Sequence, residues 1–457
     1  MSDKIKNFKE YIKGKEIAVI GIGISNIPTI KFLLENGASV TACDIKSKEQ
    51  LGDIADELIK KGAKLKLGDN YLKDIKADIV FKTPGMRFDK PELLELREKG
   101  TIITSEMEEF MKICPAKIFA VTGSDGKTTT TTLVYSLLKE EGFTCHVGGN
   151  IGTPLLYRID DIKENDMVVL ELSSFQLHTI TTPPHVAVIT NLSPNHLDWH
   201  KDYAEYIESK KNIMLYQNSD DILVVNSSND ETEKIGKEAK GILRSFSSKK
   251  DAFVCLDGDF IAVNGEKYLN INDIKIPGKH NVENYIAAIA ATYPLVSKEI
   301  INKVAKEFGG VPHRIELIRT IDGVRYYNSS IDSSPNRTIN TLKVFSEPII
   351  LIAGGKDKGI SYDEIGAPIL ERVKALILIG KTSDLIEKAV FDAKKATSSN
   401  KELPIYRKET YDEVVTLAKE IAVSGDVVLL SNASTSFDMF KNFEERGNLF
   451  KELVNKL

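Results

Sequence analysis

Short apolar runs alternate with longer amphipathic stretches along nearly the whole chain. We interpret the apolar runs as strands and the stretches between them as helices. This alternation predicts an α/β fold with mostly parallel sheets. The predicted strands are Glu16–Ile20, Ser39–Cys43, Lys64–Leu67, Ile79–Phe81, Thr101–Ile103, Lys117–Val121, Met167–Leu170, Val186–Thr190, Val324–Tyr327, Ile349–Ala353, Ala375–Ile379 and Val427–Leu430.

The chain of 457 residues is too long for one hydrophobic core and predicts about three domains. We place them at residues 1–113, 114–311 and 312–457. The second boundary falls at Gly309–Pro312, a stretch of residues that interrupt regular structure and could serve as a hinge. Within the second domain, Phe253–Asn272 predicts a small antiparallel insertion.

Composition narrows the class of protein. The apolar fraction is 42%, the charged fraction is 28% and the net charge is −5, which is typical of a soluble globular protein and gives no basic surface for nucleic acid. Four scattered cysteines without a Cys-x-x-Cys pair fit a reducing compartment. The first residues lack the apolar core of a signal peptide, and no apolar run approaches membrane-spanning length. We expect a cytoplasmic protein.

The segment Ala120–Thr129 predicts a phosphate-binding loop. A strand leads into a turn with two glycines, followed by Lys127, Thr128 and a predicted helix over Thr130–Glu141. Glycines allow backbone N–H groups to converge on phosphate, and the helix N-terminus adds positive potential. The usual motif has a glycine where this chain has Val121, so a turn that only links strand and helix is the alternative.

The turn after the first strand, Gly21–Asn26, resembles a dinucleotide fingerprint. Asp44 follows Gly23 at about the 20-residue spacing of that motif, but Asn26 stands in place of the third glycine. A site for a nucleotide diphosphate other than NAD is the interpretation we favour, and a dehydrogenase or a plain strand–helix turn are the alternatives. Thr83–Gly85 ends a strand at the same sheet edge and could close this site.

Glu171 ends an apolar strand about 45 residues after the phosphate loop. A carboxylate at that place can hold Mg²⁺ beside the phosphates, as in a Walker B element. A solvated glutamate at a strand end is the alternative.

A second group of candidate ligands follows the strand Val186–Thr190. His196, Asp198 and His200 occupy alternate positions after that strand, which suggests a metal site at the sheet edge. An exposed turn with incidental histidines is the alternative.

Two cationic features have weaker signals. A lysine pair, Lys210 and Lys211, lies in the helix after His200, where charged pairs are usually solvated. Arg314 follows the hinge, where a cation could move onto phosphate or form an interdomain ion pair.

Several ordered motifs together resemble the Mur ligase family, over essentially the whole chain. They are Gly-Ile-Gly-Ile-Ser-Asn (21–26), Thr-Gly-Ser-Asp-Gly-Lys-Thr-Thr (122–129), Gly-Gly-Asn-Ile-Gly (148–152), Leu-Glu-Leu-Ser-Ser-Phe-Gln-Leu (170–177), Asn-His-Leu-Asp (195–198), His-Asn-x-x-Asn (280–284), Pro-His-Arg (312–314) and Phe-Lys-Asn-Phe-Glu-x-Arg-Gly (440–447). The fourth and the last resemble the D-glutamate-adding branch in particular.

The resemblance implies a Rossmann-like domain for a UDP-linked substrate, a central ATPase and a Rossmann-like C-terminal domain. It implies that ATP phosphorylates the carboxylate of UDP-N-acetylmuramoyl-L-alanine and that the amine of D-glutamate attacks the acyl phosphate. The enzyme would act in the cytoplasm as a monomer, without nucleic acid or a membrane span, in peptidoglycan precursor synthesis.

The resemblance also implies roles for individual residues. ATP would be bound by Gly123, Ser124, Asp125, Gly126, Lys127, Thr128, Thr129, Asn281, Asn284 and Arg314. The substrates would be bound by Gly23, Ile24, Ser25, Asp44, Gly85, Asn150, Ser333, Lys358, Ser436, Phe437 and Phe443, of which Lys358, Ser436 and Phe443 match the D-glutamate pocket. Two Mg²⁺ ions would be held by Thr128, Glu171, His196 and Lys210.

Lys127, Glu171, His196 and Lys210 would form the catalytic group. The family has an N-carbamylated lysine four residues after a tyrosine, and this spacing selects Lys210, because it follows Tyr206, over Lys211. Carbamylation would turn the amine into a carboxylate-like ligand.

The chain departs from the family at Ser329, where an aspartate that contacts ribose is common. Asp332 could take over that contact, or a hydroxyl could hold the ribose. Sister Mur ligases with another amino acid and a folylpolyglutamate synthase-like ligase remain alternatives within the fold. A dehydrogenase or a nucleotide-regulated scaffold would be alternatives of another class.

Overall fold

The computed structural model describes residues 2–23, 25–249, 251–397 and 401–457. The chain forms two compact units. The first comprises Met1–Asp273 and His280–Val304, and the second comprises Ile274–Lys279 and Ala305–Leu457. The first unit contains two sheets and the second contains one, so the predicted α/β class with three sheet-bearing domains is confirmed. The boundaries at 113/114 and 311/312 stay predictions.

The first sheet has five parallel strands in the order β3-β2-β1-β4-β5. Its central strands are buried on both faces, as expected for a parallel sheet covered by helices. The strands are β1 (Glu16–Ile20), β2 (Ser39–Asp44), β3 (Lys64–Leu67), β4 (Ile79–Lys82) and β5 (Ile102–Thr104). The helices are α1 (Asp3–Ile12), α2 (Asn26–Glu35), α3 (Lys48–Leu51), α4 (Asp53–Lys60), α5 (Pro91–Glu98) and α6 (Glu106–Ile113).

The second sheet has nine strands in the order β14-β13-β12-β11-β10-β9-β6-β8-β7. The strands are β6 (Lys117–Thr122), β7 (Cys145–Gly149), β8 (Met167–Glu171), β9 (Val186–Ile189), β10 (Ile222–Asn226), β11 (Ile242–Ser247), β12 (Val254–Asp257), β13 (Phe260–Val263) and β14 (Glu266–Asn270). The helices are α7 (Lys127–Glu140), α8 (Ser174–Leu177), α9 (Tyr203–Leu215) and α10 (Asp230–Gly236). The chain passes between the two units within or next to α11 (Lys279–Thr292) and α12 (Lys298–Glu307).

The predicted insertion is antiparallel, because β12 pairs with β13 and β13 with β14 in that sense. It extends one end of the parallel sheet, since β12 also pairs in parallel with β11. Strands β7, β10 and β11 were not predicted. The strand β6 lies between β8 and β9, which brings the phosphate-loop strand next to the strand that ends in Glu171.

The third sheet, in the second unit, has the order β15-β16-β20-β17-β18-β19, and all pairs except β15–β16 are parallel. The strands are β15 (Glu316–Ile321), β16 (Val324–Asn328), β17 (Ile349–Ala353), β18 (Val373–Ile379), β19 (Ile405–Lys408) and β20 (Val427–Leu430). The helices are α13 (Pro335–Leu342), α14 (Gly366–Arg372), α15 (Ser383–Ala396), α16 (Tyr411–Ile421) and α17 (Phe443–Asn455). Within the described ranges, no helix combines the length and hydropathy needed to cross a membrane.

Candidate active site

The phosphate loop joins β6 to α7 and has the backbone that its two glycines allow. Gly123 has φ +148° and Gly126 has φ +78°. A Cβ at Gly123 would collide with Thr190 Oγ1, and one at Gly126 would lie 2.5 Å from Asn284 Oδ1. Both positions therefore favour glycine, which has no Cβ and adopts a positive φ without strain. The turn ends at the N-terminus of α7, where backbone N–H groups can bind phosphate. The helix begins at Lys127, three residues before the predicted start.

Polar groups of Thr190 and Asn191, which follow β9, hold the phosphate loop in shape. Ser124 N–H donates to the Asn191 carbonyl at 2.8 Å, and Asp125 N–H donates to Asn191 Oδ1 at 3.0 Å. Thr190 Oγ1 donates to the Asp125 carbonyl at 2.6 Å. Lys127 Nζ donates to the carbonyls of Gly123 and Ser124, both at 2.8 Å, so its ammonium lies over the loop.

Two asparagines of α11 close the loop from the other side. Asn284 Nδ2 donates to Asn281 Oδ1 at 3.0 Å, and Asn284 Oδ1 accepts from Thr130 Oγ1 at 3.3 Å. Both asparagines are buried. Thr128 and Thr129 lie half-buried in the first turn of α7. The structure therefore brings the predicted ATP-binding residues of the first unit together.

Glu171 ends β8, and its side chain is buried with 1% exposure. Its Oε1 accepts a 2.7 Å hydrogen bond from Asn150 Nδ2. Its Oε2 is buried and accepts no hydrogen bond. A buried carboxylate oxygen without a donor is energetically costly, so this atom suits a cation. Asn150 and Glu171 were predicted separately, and the structure joins them.

Lys210 lies on α9 with 2% exposure. Its Nζ donates to Thr122 Oγ1 at 3.1 Å and to the Gly123 carbonyl at 2.9 Å. Burial, followed by repulsion from Lys127, holds the pKa of Lys210 well below the ordinary lysine value, and Glu171 acts in the opposite direction. Lys211 points away instead and pairs with Glu238 at 2.6 Å.

Tyr206 explains how α9 is held against the loop. Its hydroxyl lies 2.8 Å from Ser124 Oγ, and Lys210 Nζ lies 5.0 Å from its ring centroid. Burial raises the pKa of Tyr206 to about 12, so the hydroxyl stays neutral. The tyrosine thus contacts both the phosphate loop and the lysine one turn further along the helix.

His196 lies in the exposed turn after β9 and adopts φ +54°. Partial burial, together with Lys127 and Lys210, lowers its pKa, against the opposing effect of Asp198. The imidazole is therefore neutral at pH 7 and available as a metal ligand.

The expectation that His196, Asp198 and His200 form one ligand set is wrong. The buried His200 places Nε2 2.9 Å from Ser174 Oγ and Nδ1 3.5 Å from Glu205 Oε2. Within the described part of the chain, His200 instead forms a cluster with His178 and Glu205, whose potential ligand atoms lie within 4.8 Å of one another. The two histidines share a tight turn, in which the His196 carbonyl accepts from His200 N–H, but His196 is exposed and His200 is buried.

The candidate nucleotide loops of the first sheet meet after β1 and β4. Gly21 has φ +90°, and a Cβ there would lie 3.1 Å from Thr83 Cβ. Asp44 Oδ2 accepts from Ile22 N–H at 2.6 Å, so this carboxylate, predicted to bind substrate, holds the backbone of the Gly21–Asn26 turn. Gly23 and Ser25 are exposed. Ile24 lies outside the described residues.

The predicted substrate residues of the second unit lie in loops that follow β16, β17 and β20 and at the start of α17, and Arg314 lies just before β15. The loops of Lys358 and Ser436 are joined where Lys356 N–H donates to the Thr435 carbonyl at 2.8 Å. Lys358, Phe437 and Arg314 are exposed, Ser436 is buried, and Ser333 and Phe443 are half-buried. All six residues belong to the second unit.

Asp332 does not face solvent as a free ribose ligand would. It is 5% exposed, and its Oδ2 accepts from Thr341 Oγ1 at 2.7 Å and from Ser431 Oγ at 2.8 Å. Ser329 is fully buried, and its Oγ accepts from Ile315 N–H at 3.3 Å. The carboxylate is committed to the interior of its domain, which disfavours the hypothesis that it replaces the family aspartate.

Sequence reasoning missed one group of residues beside His196. Arg87 donates to Glu205 and to the Trp199 carbonyl, and Trp199 Nε1 donates to the Gly85 carbonyl at 2.9 Å. The sequence offered two signals for this group. Arg87 follows Gly85 by two residues, and Trp199, the chain's one tryptophan, is next to the candidate ligand His200.

Known protein families match most of the chain. Three family models match: the Mur ligase MurD-like N-terminal domain over residues 15–105, the Mur ligase middle domain over 121–292, and the Mur ligase glutamate ligase domain over 313–433. Together they cover all or most of each of the three sheets.

Curated relatives match over the whole chain. UDP-N-acetylmuramoylalanine–D-glutamate ligases from Ruminiclostridium cellulolyticum, Acetivibrio thermocellus and Clostridium perfringens are 53%, 52% and 51% identical, with 100% of both chains covered in each case.

Solved structures of lower identity share the fold. The UDP-N-acetylmuramate–alanine ligase of Thermotoga maritima has a TM-score of 0.58 at 21% identity, covering 97% of this chain and 99% of that one. A UDP-N-acetylmuramoyl-L-alanyl-D-glutamate–2,6-diaminopimelate ligase has a TM-score of 0.55 at 18% identity, covering 93% and 88%. With full-length relatives above 50% identity and all three domain models matched in order, the chain belongs to the Mur ligase family.

Proposed function

We propose that this enzyme is an ATP-dependent ligase that adds D-glutamate to UDP-N-acetylmuramoyl-L-alanine in peptidoglycan precursor synthesis. The observation that carries the proposal is Lys210, a buried amine held against the phosphate loop with its pKa lowered. The choice of amino acid rests on the motifs at 170–177 and 440–447 and on the names of the full-length relatives. The proposal places the reaction in the cytoplasm and treats the chain as a monomer.

The donor set of the first unit fits ATP and Mg²⁺. The glycine cradle, whose space a Cβ would fill, leaves N–H groups and Lys127 for the phosphates, and Asn281 and Asn284 flank the loop. Thr128 and the partnerless oxygen of Glu171 suit a first Mg²⁺, and His196 with carbamylated Lys210 suits a second. When bound, these ions would offset phosphate charge as the phosphoryl group moves.

A carbamate on Lys210 requires a neutral amine. The Nζ lone pair attacks the carbon of CO₂, one proton leaves the nitrogen, and the product is a carboxylate-like group. An ordinary lysine is protonated at pH 7, whereas burial and Lys127 disfavour the charged form of Lys210. The carbamate would remove the repulsion from Lys127 and replace it with attraction.

The remaining chemistry assigns roles to other residues. Lys127 and the loop N–H groups would stabilise charge on the transferred phosphoryl group as the alanyl carboxylate attacks it. Asn150 would orient the acyl end, because it already bonds Glu171 at the end of β8. Gly23, Ile24, Ser25, Asp44 and Gly85 would bind the UDP part. In the second unit, Arg314 would contact ATP, and Lys358, Ser436 and Phe443 would bind D-glutamate. Ser333 and Phe437 would contribute to substrate binding.

Phosphate release tests the proposal directly. The enzyme is supplied with ATP, Mg²⁺ and UDP-N-acetylmuramoyl-L-alanine, together with a panel of L- and D-amino acids. Release that depends on D-glutamate is the expected result. Release with another amino acid would move the chain to a sister activity, and ATP binding without release for any acceptor would contradict catalysis.

A further inference from the structure

Within the first unit, the loops of the first sheet meet α9, and there the Arg87 guanidinium forms hydrogen bonds with all of its N–H groups. Its Nε and Nη2 donate to the two oxygens of Asp89, both at 2.8 Å. Its Nη2 and Nη1 donate to the two oxygens of Glu205, at 2.9 and 3.1 Å. Nη1 also donates to the Trp199 carbonyl at 2.9 Å. All five N–H groups are therefore used, which fixes the orientation of the guanidinium.

The Trp199 side chain connects Arg87 both to the Gly85 loop and to the residues around His196. The Arg87 guanidinium lies 4.9 Å from the indole ring centroid, and indole Nε1 donates to the Gly85 carbonyl. The same indole packs against Phe175, whose ring lies 5.0 Å from that of His196. We call Arg87, Trp199 and Glu205 the latch.

One side of the latch belongs to the candidate nucleotide loops. Met86 N–H donates to the Thr83 carbonyl, closing a turn around Gly85, and Thr83 packs on Gly21. A ligand that orders either loop would act on a segment two residues from Arg87.

The other side belongs to the candidate metal residues. Trp199 lies in the turn whose N–H groups donate to the His196 carbonyl. Glu205 lies in the first turn of α9, and Tyr206 and Lys210 further along this helix contact the phosphate loop.

The neighbouring histidines could suggest a metal site instead, because His178 Nε2 and His200 Nδ1 are buried without hydrogen bonds and lie 3.5 Å from Glu205. The guanidinium on the same carboxylate opposes a dication there. Glu205 Oε2 also accepts from Lys201 N–H at 2.7 Å, which leaves that oxygen little capacity for a metal.

We propose that Arg87 is a positioning residue and that the latch couples nucleotide binding at the Gly21 and Gly85 loops to the arrangement of His196 and Lys210. The proposal rests on the proposed function, since it takes the first site to bind UDP and the second to bind ATP with Mg²⁺. Coupling between two sites is reciprocal, so each ligand should tighten the other.

The test measures the dissociation constant of β,γ-methylene-ATP with Mg²⁺ by calorimetry, with and without saturating UDP. UDP lacks the N-acetylmuramoyl-L-alanine part that would reach the metal residues, so coupling must pass through the protein. We expect about fivefold tighter binding of the analogue with UDP, at the lower end of typical coupling. In Arg87→Met the ratio should fall to about one, while each ligand alone binds as in the wild type.

Two further variants make the result specific. Trp199→Phe keeps a ring but removes the bond to Gly85, and should also lose coupling. Arg158→Met is the matched control, because Arg158 is half exposed and pairs locally with Asp161, and it should retain coupling.

Three results would contradict the coupling. The first is a wild-type dissociation constant of the analogue that is the same with and without UDP. The second is full coupling in Arg87→Met, and the third is an Arg87→Met variant that weakens the analogue equally with and without UDP. Failure of the wild type to bind UDP at all would instead contradict the proposed function.

Discussion

Lys210 and Arg87 are two basic side chains of the first unit, and their surroundings have opposite effects on the charged form. Lys210 lies on α9, and Arg87 pairs with Glu205 of the same helix. Lys210 Nζ donates to a hydroxyl and a carbonyl, both neutral. Arg87 lies between the carboxylates of Asp89 and Glu205. Burial therefore lowers the pKa of Lys210, whereas hydrogen bonds to Asp89 and Glu205 raise the pKa of Arg87.

The difference shows how surroundings decide whether a basic side chain is suited to a reaction, as at Lys210, or to a structural ion pair, as at Arg87. Desolvation raises the neutral fraction of an amine, and the neutral form can react with CO₂. A guanidinium between two carboxylates keeps its proton and cannot act as a nucleophile. The contrast predicts that changes at Lys210 alter activity and that changes around Arg87 alter stability and coupling.

The largest expected effect comes from removing the reactive amine. Lys210→Ala should lower kcat by at least about 10²–10³-fold, because a ligand for the transferred charge is lost. Short carboxylates such as formate should restore part of the activity by filling the vacated space. Steady-state phosphate release measures both effects.

The adjacent lysine provides the matched control for that experiment. Lys211→Ala removes an amine that pairs with the half-exposed Glu238 and should leave kcat within about twofold. Equal losses in the two variants, or an undiminished Lys210→Ala, would contradict the assigned role.

The second effect concerns the CO₂ and pH dependence of the carbamate. The neutral fraction of an amine falls about tenfold for each pH unit below its pKa. Because the pKa of Lys210 is lowered, the neutral amine should persist at pH values where ordinary lysines are protonated, and be lost as pH falls through the lowered value. CO₂-depleted enzyme should regain activity with bicarbonate. Labelled bicarbonate and ¹³C NMR would detect the carbamate, and its absence in Lys210→Ala is the control.

The third effect tests the opposite member of the comparison. Glu205→Gln leaves the Arg87 guanidinium with one carboxylate fewer and should lower the free energy of unfolding by about 1–2 kcal/mol, between exposed and fully buried pairs. Because Arg87 depresses the pKa of Glu205, this contribution is present above the unfolded carboxyl pKa and is lost only as pH falls through the lowered folded value.

Urea unfolding at pH 7 measures that change. Glu208→Gln on the same helix is the control, since Glu208 is mostly exposed and lies 4.0 Å from Lys211. A midpoint for Glu205→Gln that equals the control's would show that Arg87 does not depend on this carboxylate.

Local pattern was enough to predict the framework of the site. Every strand inferred from an apolar run is present, with ends that differ by at most two residues, and the phosphate loop follows β6 as expected. Strands such as β19 (Ile405–Lys408) and β15 (Glu316–Ile321) carry polar and charged residues, so their hydrophobic signal was weak.

Side-chain direction could not be predicted in the same way. The alternation of His196, Asp198 and His200 assumed an extended chain, whereas a turn with φ +54° at His196 sends His200 toward Ser174. Asp332 is drawn inward by Thr341 and Ser431, the latter distant in sequence. Such contacts depend on tertiary packing, and Lys210 itself was selected over Lys211 only through the family resemblance.

The smallest effect should have the opposite sign to that of Glu205→Gln. Lys210→Met fills the same space without an amine that folding must desolvate, and in CO₂-depleted buffer at pH 7 it should raise Tm by about 2 °C. The wild-type lysine binds fewer protons folded than unfolded, so wild-type stability rises with pH between the lowered and the ordinary lysine pKa. The advantage of Lys210→Met should therefore shrink as pH rises toward 10. Scanning calorimetry at several pH values measures it, and a Tm that falls at pH 7 would mean that the bonds to Thr122 and Gly123 outweigh the desolvation of the amine.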